Sequence, residues 1–404
     1  MVIKVDEREM LSERVKREKE ELLSAKPQID IERIKFLLEV YRKTEGQPPA
    51  IQRAKLFEKL CSEKAIYIDD NPIVGTLTQY KYGGYPIPEI GARWMKKVDE
   101  FSLQRGRAAL TAEQREWIDK AVDYWEDKNV FNKTREIMLR SRDVDISTLL
   151  KHGIATELVA GGFINPFPDY SRVLRKGLKG IIRAIEEEKA KLDTGDSEDL
   201  SKWYFYEGAL LCVEGMIKLA QRYAALAGEM AKKETDPKRK GELEAIAQRC
   251  EHVPANPART FFEALQTVWF VILGTWIQSP AILLSPPCRF AQYMYPFYEK
   301  DKKAGKLTDE EAIELIQLFF LKLNGLAQVL PPHGFAFSQS RLGLQLSLGG
   351  LTPNGEDATN ELDFLVLEAQ RRIRLPEPLV NVLYHNKLSE EFLLKCVDLI
   401  LAGE

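Results

Sequence analysis

Residues 210–217 read LLCVEGMI and set a thiol, Cys212, two positions before a carboxylate, Glu214. A cysteine with an acid beside it could carry a radical, or attack as a nucleophile while the acid moves protons. Helical phase argues against that use. Two residues of an α-helix turn the chain through about 200°, so the two side chains point to nearly opposite sides. Phe205, Ala209, Cys212, Met216, Leu219, Tyr223 and Leu226 recur in steps of four and three. That spacing predicts one buried stripe with Cys212 in its middle, where a free cysteine packs as a small hydrophobe.

A second candidate is Cys288 with Arg289, in the proline-rich stretch SPAILLSPPCRFAQYMYPFY (279–298). A neighbouring guanidinium can lower a thiol pKa and make it reactive. The alternative is a rigid loop with a structural cysteine. His152, His252, His333 and His385 form no HxxxH or HExxH pair and stand near no cysteine at zinc spacing, so no metal site is expected. No glycine-rich phosphate loop and no GxSxG elbow occurs. YGGYP (82–86) and VAGGFINPFPDY (159–170) have turn chemistry and are apolar enough to line a pocket.

Such residues need elements to position them. Helical patterns dominate up to about residue 270. YSRVLRKGLKGIIRAIEEEKAKL (170–192) carries Val173, Leu174, Leu178, Ile181, Ile182 and Ile185 at helical spacing. Thr308 and Glu311 form a capping-box signature before an apolar face of Ile316, Phe319, Phe320 and Leu323. The period changes near residue 342. RLGLQLSLGGL (341–351) puts Leu342, Leu344, Leu346 and Leu348 on one face, and LVNVLYH (379–385) alternates as well. The helical 358–373 lies between them. Strand, helix, strand predicts a βαβ unit with parallel strands.

The 404 residues carry a net charge of -3, with 45% in the hydrophobic set and 29% charged. This balance fits a globular protein and gives no nucleic-acid signal. Cys61, Cys212, Cys250, Cys288 and Cys396 are scattered without a CxxC, which reads as reduced and cytoplasmic. The N-terminal residues read as a charged helix without the apolar core of a secretion signal. Residues 264–288 carry no charge, a run long enough to span a membrane. Pro280, Pro286 and Pro287 would break it, and Gln266, Thr267, Gln278 and Ser279 would need partners. A buried helix entering an apolar loop is expected, and no membrane association.

Several segments together resemble the glycyl radical enzymes, the pyruvate formate-lyase-like superfamily. They are DDNPIVGTLTQ (69–79), PDYSRVLRKGLKGI (168–181), CEHVPANPARTF (250–261), ARTFFEALQTVWFV (258–271), CRFAQYMYPFYEKDKKAGKLTDEEAIELIQLFFLKLN (288–324) and LSLGGLTPNGEDATNELDFLVLEA (346–369). They stand in the family's order and cover nearly the whole chain. The resemblance implies an α/β fold: the helix-rich N-terminal part of a ten-stranded α/β barrel, truncated after the first strands. It implies one pyruvate formate-lyase-like domain over residues 1–404, without the catalytic cysteine loop and the C-terminal glycyl radical domain. In the family a radical S-adenosylmethionine activase with an iron–sulfur cluster installs a glycyl radical, which passes to the cysteine. No Arg-Val-x-Gly-Tyr element occurs here, and the Cys-Val-Glu at 212 precedes the barrel strands. The resemblance therefore assigns no catalytic residue and no bound cofactor to this chain, and the chain alone is expected to be inactive. It implies an activase, a C-terminal half and a homodimer as partners of the intact enzyme.

The resemblance also marks part of a substrate cavity. Polyol dehydratases of the family carry Gly-His-Thr-Ile before PDY; here Asn165 stands at the histidine position. Asparagine hydrogen-bonds but does not shuttle protons near neutral pH. The family's Ser-x-Ser-Pro-Gly-Arg-Phe-Asp-Gln reads Leu284-Ser285-Pro286-Pro287-Cys288-Arg289-Phe290-Ala291-Gln292. The pocket side is less polar, which speaks against a small polyol. Phe163, Asn165, Ser285, Cys288, Ser338 and Gln339 are the expected substrate contacts. Residues 348–393 most resemble the arylacetate (4-hydroxyphenylacetate-type) decarboxylases. The expected function is thus a lyase acting on a small carboxylate or aromatic acid by thiyl-radical chemistry in an anaerobic setting. Alternatives are a formate acetyltransferase-like enzyme, a hydroxyproline or polyol dehydratase, a benzylsuccinate-type synthase, or an inactive truncated or split-gene scaffold.

Overall fold

Most helix starts along this chain are set by short side chains that take up free N–H groups. The computed structural model describes residues 11–99, 109–142, 148, 152, 167–279, 287–327, 329 and 343–403. Helix α1 (Glu13–Ser24) begins at Ser12, whose hydroxyl accepts the Val15 N–H. Strand β1 (Gln28–Ile29) leads to α2 (Glu32–Lys43) and α3 (Pro49–Glu63). Strand β2 (Gly83–Gly84) pairs parallel with β1. Helices α4 (Ala112–Trp125) and α5 (Val130–Arg142) follow. Helices α6 (Tyr170–Lys189), α7 (Ser197–Lys233) and α8 (Pro237–His252) start at Asp169, Asp196 and Asp236, each accepting first-turn N–H groups. Then come α9 (Phe261–Gln278), α10 (Phe290–Lys303) and α11 (Asp309–Asn324), the last on the expected Thr308/Glu311 capping box. The unit β3 (Gln345–Gly349), α12 (Glu361–Ile373) and β4 (Leu379–Leu383) precedes α13 (Glu390–Leu401).

Residues 264–278 of the uncharged run belong to α9, a helix buried nearly all round, and the expected apolar loop at 280–286 lies outside the described residues. Gln266, Thr267 and Trp269 of α9 have protein partners. The Gln266 amide accepts the Val74 N–H at 2.9 Å and donates to the Val74 carbonyl at 2.7 Å. Thr267 donates to Glu263 O, and Trp269 Nε1 donates to Gly75 O at 3.1 Å. Among the described residues no helix is long and apolar enough to cross a membrane. Ile316, Phe319, Phe320 and Leu323 of α11 are all fully buried, and Phe319 stacks on Phe290 with ring centroids 5.7 Å apart.

Helix α7 packs along α3. Gly208 and Gly215 allow this, because a Cβ at Gly215 would already lie 3.3 Å from Glu58 Cα. The buried stripe is shifted from its expected place. Met216, Leu219 and Tyr223 lie in it, whereas Phe205 is 64% exposed. The small glycines, not the aromatic residue, face α3. Cys212 is half-buried against the core and Glu214 is exposed, so the two do not act together. Burial pushes the Cys212 thiol up to about 11, which keeps it protonated. Replacing Cys212 by alanine is expected to lower stability by about 1 kcal/mol or less, measured by chemical denaturation.

The pattern of 170–192 predicts one continuous helix, but α6 is broken at Gly177, where φ is 64° and ψ is 167°. The segment after α8 fits into the break. Leu178 N donates to Pro254 O at 2.8 Å, Lys179 N to Ala255 O at 3.0 Å, and Ala258 N to Leu174 O at 3.0 Å. Groups that lost their intrahelical partners are thus satisfied by a loop.

Strands β3 and β4 are parallel, with Gln345 opposite Leu379 and Gly349 opposite Leu383. Leu344, Leu346 and Leu348 are fully buried on one face, as the alternation requires. The carboxylate of Asp363, in the first turn of α12, accepts the Gly349 N–H at the end of β3. Among the described strands β4 pairs with β3 alone. Packed on α12, α13 buries Phe392 and Leu399 but exposes Leu394, Val397, Ile400 and Leu401.

Candidate functional site

Three segments that carry the expected substrate contacts have their described ends around Cys288. The first ends at Asp169 and Tyr170. Asp169 accepts the Arg172 N–H at 2.9 Å and starts α6, and this places the Tyr170 ring inward. That ring stacks on Tyr293 of α10, with centroids 5.1 Å apart and planes 29° apart. The second segment emerges at Pro287. Its carbonyl accepts the Tyr293 hydroxyl at 2.6 Å. The third re-enters at Gly343 and Leu344, whose N–H groups donate to the Glu377 carboxylate at 2.8 and 2.9 Å. Glu377 is itself held by Asn324, whose amide donates to Glu377 O at 2.6 Å.

Cys288 joins the second and third pieces through its backbone. Its N–H donates to Gln345 O at 3.2 Å, and its carbonyl accepts the Ser347 N–H at 2.8 Å. It forms a parallel bridge to Leu346, on the opposite side of β3 from β4. The bridge is made with φ at 52°, in the left-handed region. An L-residue pays roughly 1 kcal/mol for that region, and glycine does not. Cys288→Gly is therefore expected to change stability by less than about 1 kcal/mol, the relief offsetting the lost thiol contacts. Cys288→Val is expected to cost about 2 kcal/mol or more, because a β-branched side chain tolerates the region least. Denaturation midpoints of the two variants check this.

Arg289 does not activate the thiol. Its guanidinium donates to Gly349 O at 2.9 Å and Leu351 O at 3.2 Å, tying the loop to the end of β3. Burial raises the Cys288 thiol pKa, so the group is a neutral thiol and not a resident thiolate. Of the two readings of this cysteine, the structure favours the structural one: the cation is engaged by carbonyls. Burial also pushes the Tyr170 and Tyr293 hydroxyls well above the phenol range, and the nearby Cys288 sulfur adds to both. Both tyrosines therefore stay protonated donors.

Cys288 is the expected contact that the described residues contain. Phe163, Asn165, Ser285, Ser338 and Gln339 lie outside the described residues. Tyr170, Tyr293 and Glu377 were not among the expected site residues. Tyr170 closes the PDY motif and Tyr293 follows the CRFAQ motif, so motif membership was the signal that could have found them; Glu377 had none. Two of the described histidines do local work: His252 Nε2 lies 2.9 Å from Pro257 O, and His385 Nε2 lies 3.0 Å from Gly350 O. Among the described residues no group of three or more histidine, cysteine or acidic side chains could hold a metal ion.

A family model described as pyruvate formate lyase-like matches residues 9–404. An isethionate sulfite-lyase of Nitratidesulfovibrio vulgaris is 32% identical over 99% of this chain and 50% of its own length. An indoleacetate decarboxylase of Tractidigestivibacter scatoligenes is 28% identical over 97% of this chain and 48% of its own length. A Roseburia inulinivorans protein, solved in work on 1,2-propanediol dehydration, superposes with a TM-score of 0.90 at 32% identity, over 97% of this chain and 50% of the other. The chain spans about half the length of the curated relatives it matches.

Proposed function

Since this chain belongs to the pyruvate formate lyase-like family of glycyl radical enzymes, we propose that it forms the N-terminal part of a radical lyase for a small organic acid. The match along residues 9–404 carries this reading. In it, the loops around Cys288 are one wall of the substrate cavity. The reacting cysteine and the radical glycine lie on polypeptide that this chain does not contain. The open edge of β4 and the exposed Leu394, Val397, Ile400 and Leu401 receive that polypeptide. A separate activase installs the radical, and the intact enzyme is a homodimer.

The acid substrate is supported by the loss of polar groups in the 284–292 loop, where Leu284, Pro286 and Ala291 replace hydroxyls and an acid. It is supported too by relatives that bear the names of an isethionate lyase and an indoleacetate decarboxylase. Aromatic acids fit best, because a less polar wall favours a ring. The test is an anaerobic assay of the activated, full-length enzyme against arylacetates, short sulfonates, trans-4-hydroxyproline, glycerol and propane-1,2-diol. Turnover of an arylacetate is expected. Turnover confined to glycerol or propane-1,2-diol would overturn the acid reading.

A further inference from the structure

Tyr170 and Tyr293 come from different elements, yet each stands at the base of a segment expected to touch substrate. Tyr170 is the first residue of α6, directly after the segment that carries Phe163 and Asn165. Tyr293 lies one turn into α10, after the segment that carries Ser285 and Cys288. The two rings stack at 5.1 Å. The Tyr293 hydroxyl reaches back to Pro287 O at 2.6 Å, the residue before Cys288. Tyr293 is fixed in turn by an edge contact to Phe290, centroids 5.9 Å apart, and Phe290 stacks on Phe319 in the core. A rigid path thus runs from α11 through α10 to the start of α6, and one hydrogen bond branches from it to the Cys288 loop.

We infer that the stacked Tyr170–Tyr293 pair, with the Tyr293–Pro287 hydrogen bond, is a positioning device that sets the spacing between the start of α6 and the Pro287–Cys288 turn before α10. This rests on the proposed function for its consequence and on geometry alone for its existence. Neither tyrosine is assigned contact with the substrate. Their effect reaches it through the placement of Cys288 and of the segment before α6.

The first test uses thiol chemistry and needs no turnover. The variants Tyr293→Phe and Tyr170→Leu are alkylated with iodoacetamide, and each cysteine is followed by mass spectrometry. Tyr293→Phe keeps the ring stack and removes the bond to Pro287. It is expected to speed alkylation of Cys288 by about five-fold, the factor that one lost hydrogen bond represents, with Cys61 and Cys250 as slow as before. Tyr170→Leu is expected to do the same by releasing the ring. An unchanged Cys288 rate, or an equal rise at the buried Cys61 and Cys250, would overturn the inference, the latter because it reports general loosening. The second test measures kinetics of the activated full-length enzyme, where Tyr293→Phe is expected to raise KM more than it lowers kcat. A fall in kcat with KM unchanged would count against a positioning role. An enzyme that turned over no acid would refute the proposed function, and the thiol result would still decide this inference.

Discussion

Replacing Gly177 by alanine is expected to destabilise the protein by roughly 3–5 kcal/mol. Two terms add up. At φ 64° and ψ 167° the backbone sits in a region that is essentially reserved for glycine, at a cost on the order of 1–3 kcal/mol for other residues. An alanine Cβ would also fall 2.5 Å from Asn256 C and 2.6 Å from Ala255 O, so backbone must move. Movement of that loop strains the three hydrogen bonds that close the break in α6, each worth about 1 kcal/mol net. Gly228 is the control. It lies inside α7, and a Cβ there meets nothing within 4 Å. Gly228→Ala is expected to stabilise by about 0.5–1 kcal/mol through helix propensity. Urea denaturation of the two variants should move the midpoint in opposite directions. Equal small effects would show that α6 tolerates a side chain at the break.

The second large effect is expected at Glu377. Its carboxylate is 2% exposed and accepts the N–H groups of Gly343 and Leu344. Glu377→Ala leaves both donors without that partner next to a buried strand. Unsatisfied buried donors cost about 1–3 kcal/mol each, so a loss of roughly 2–5 kcal/mol is expected. Glu377→Gln keeps the shape but offers an NH2 where one N–H needs an acceptor, and it should recover only part of the loss. Hydrogen exchange provides a local readout. The amides of Gly343 and Leu344 should exchange much faster in Glu377→Ala than in the parent, while those of α9 stay protected. Unchanged exchange at both amides would mean that another acceptor serves them.

These two sites show why the family-like motifs are where they are. Residues 168–181 and 250–261 look unrelated along the chain, yet Gly177 of one receives Pro254 and Ala255 of the other. Residues 69–79 and 258–271 meet in the same way, through Gln266 and Trp269 on the backbone of Val74 and Gly75. The 288–324 and 346–369 segments meet through Arg289 on Gly349 and through Gln292 on Ala358, at 2.6 Å. Each motif is one half of a lock between distant segments, closed by backbone alone in the first pair and by side chain to backbone in the other two. The order of the halves can be read from the chain. Which half fits which cannot, because partners such as Val74 and Gln266 are 192 residues apart.

The candidate site divides along the same line. The irregular, apolar composition of the PDY and Cys288 segments was readable in the sequence. The left-handed backbone of Cys288 was not, because it follows from pairing with β3. Nor was the state of its thiol. Adjacent in sequence, Arg289 looks like an activator; in space its guanidinium is turned to the carbonyls of Gly349 and Leu351, and burial acts in the opposite direction.

By itself, the sequence determined the long amphipathic helical stretches, the Thr308/Glu311 cap, the change to period two near residue 342 and the parallel βαβ unit. All of these depend on residues within one or two turns of each other, where spacing alone decides which face is apolar and which N–H is free. It also excluded Cys212 and Glu214 as partners, since helical phase is local. Tertiary structure alone decided the break at Gly177, the Glu377 clamp and the Tyr170–Tyr293 stack. Each of these satisfies a backbone group or a ring with a partner distant in the chain. Such a pairing has no period to read, and exists only once the loops have closed.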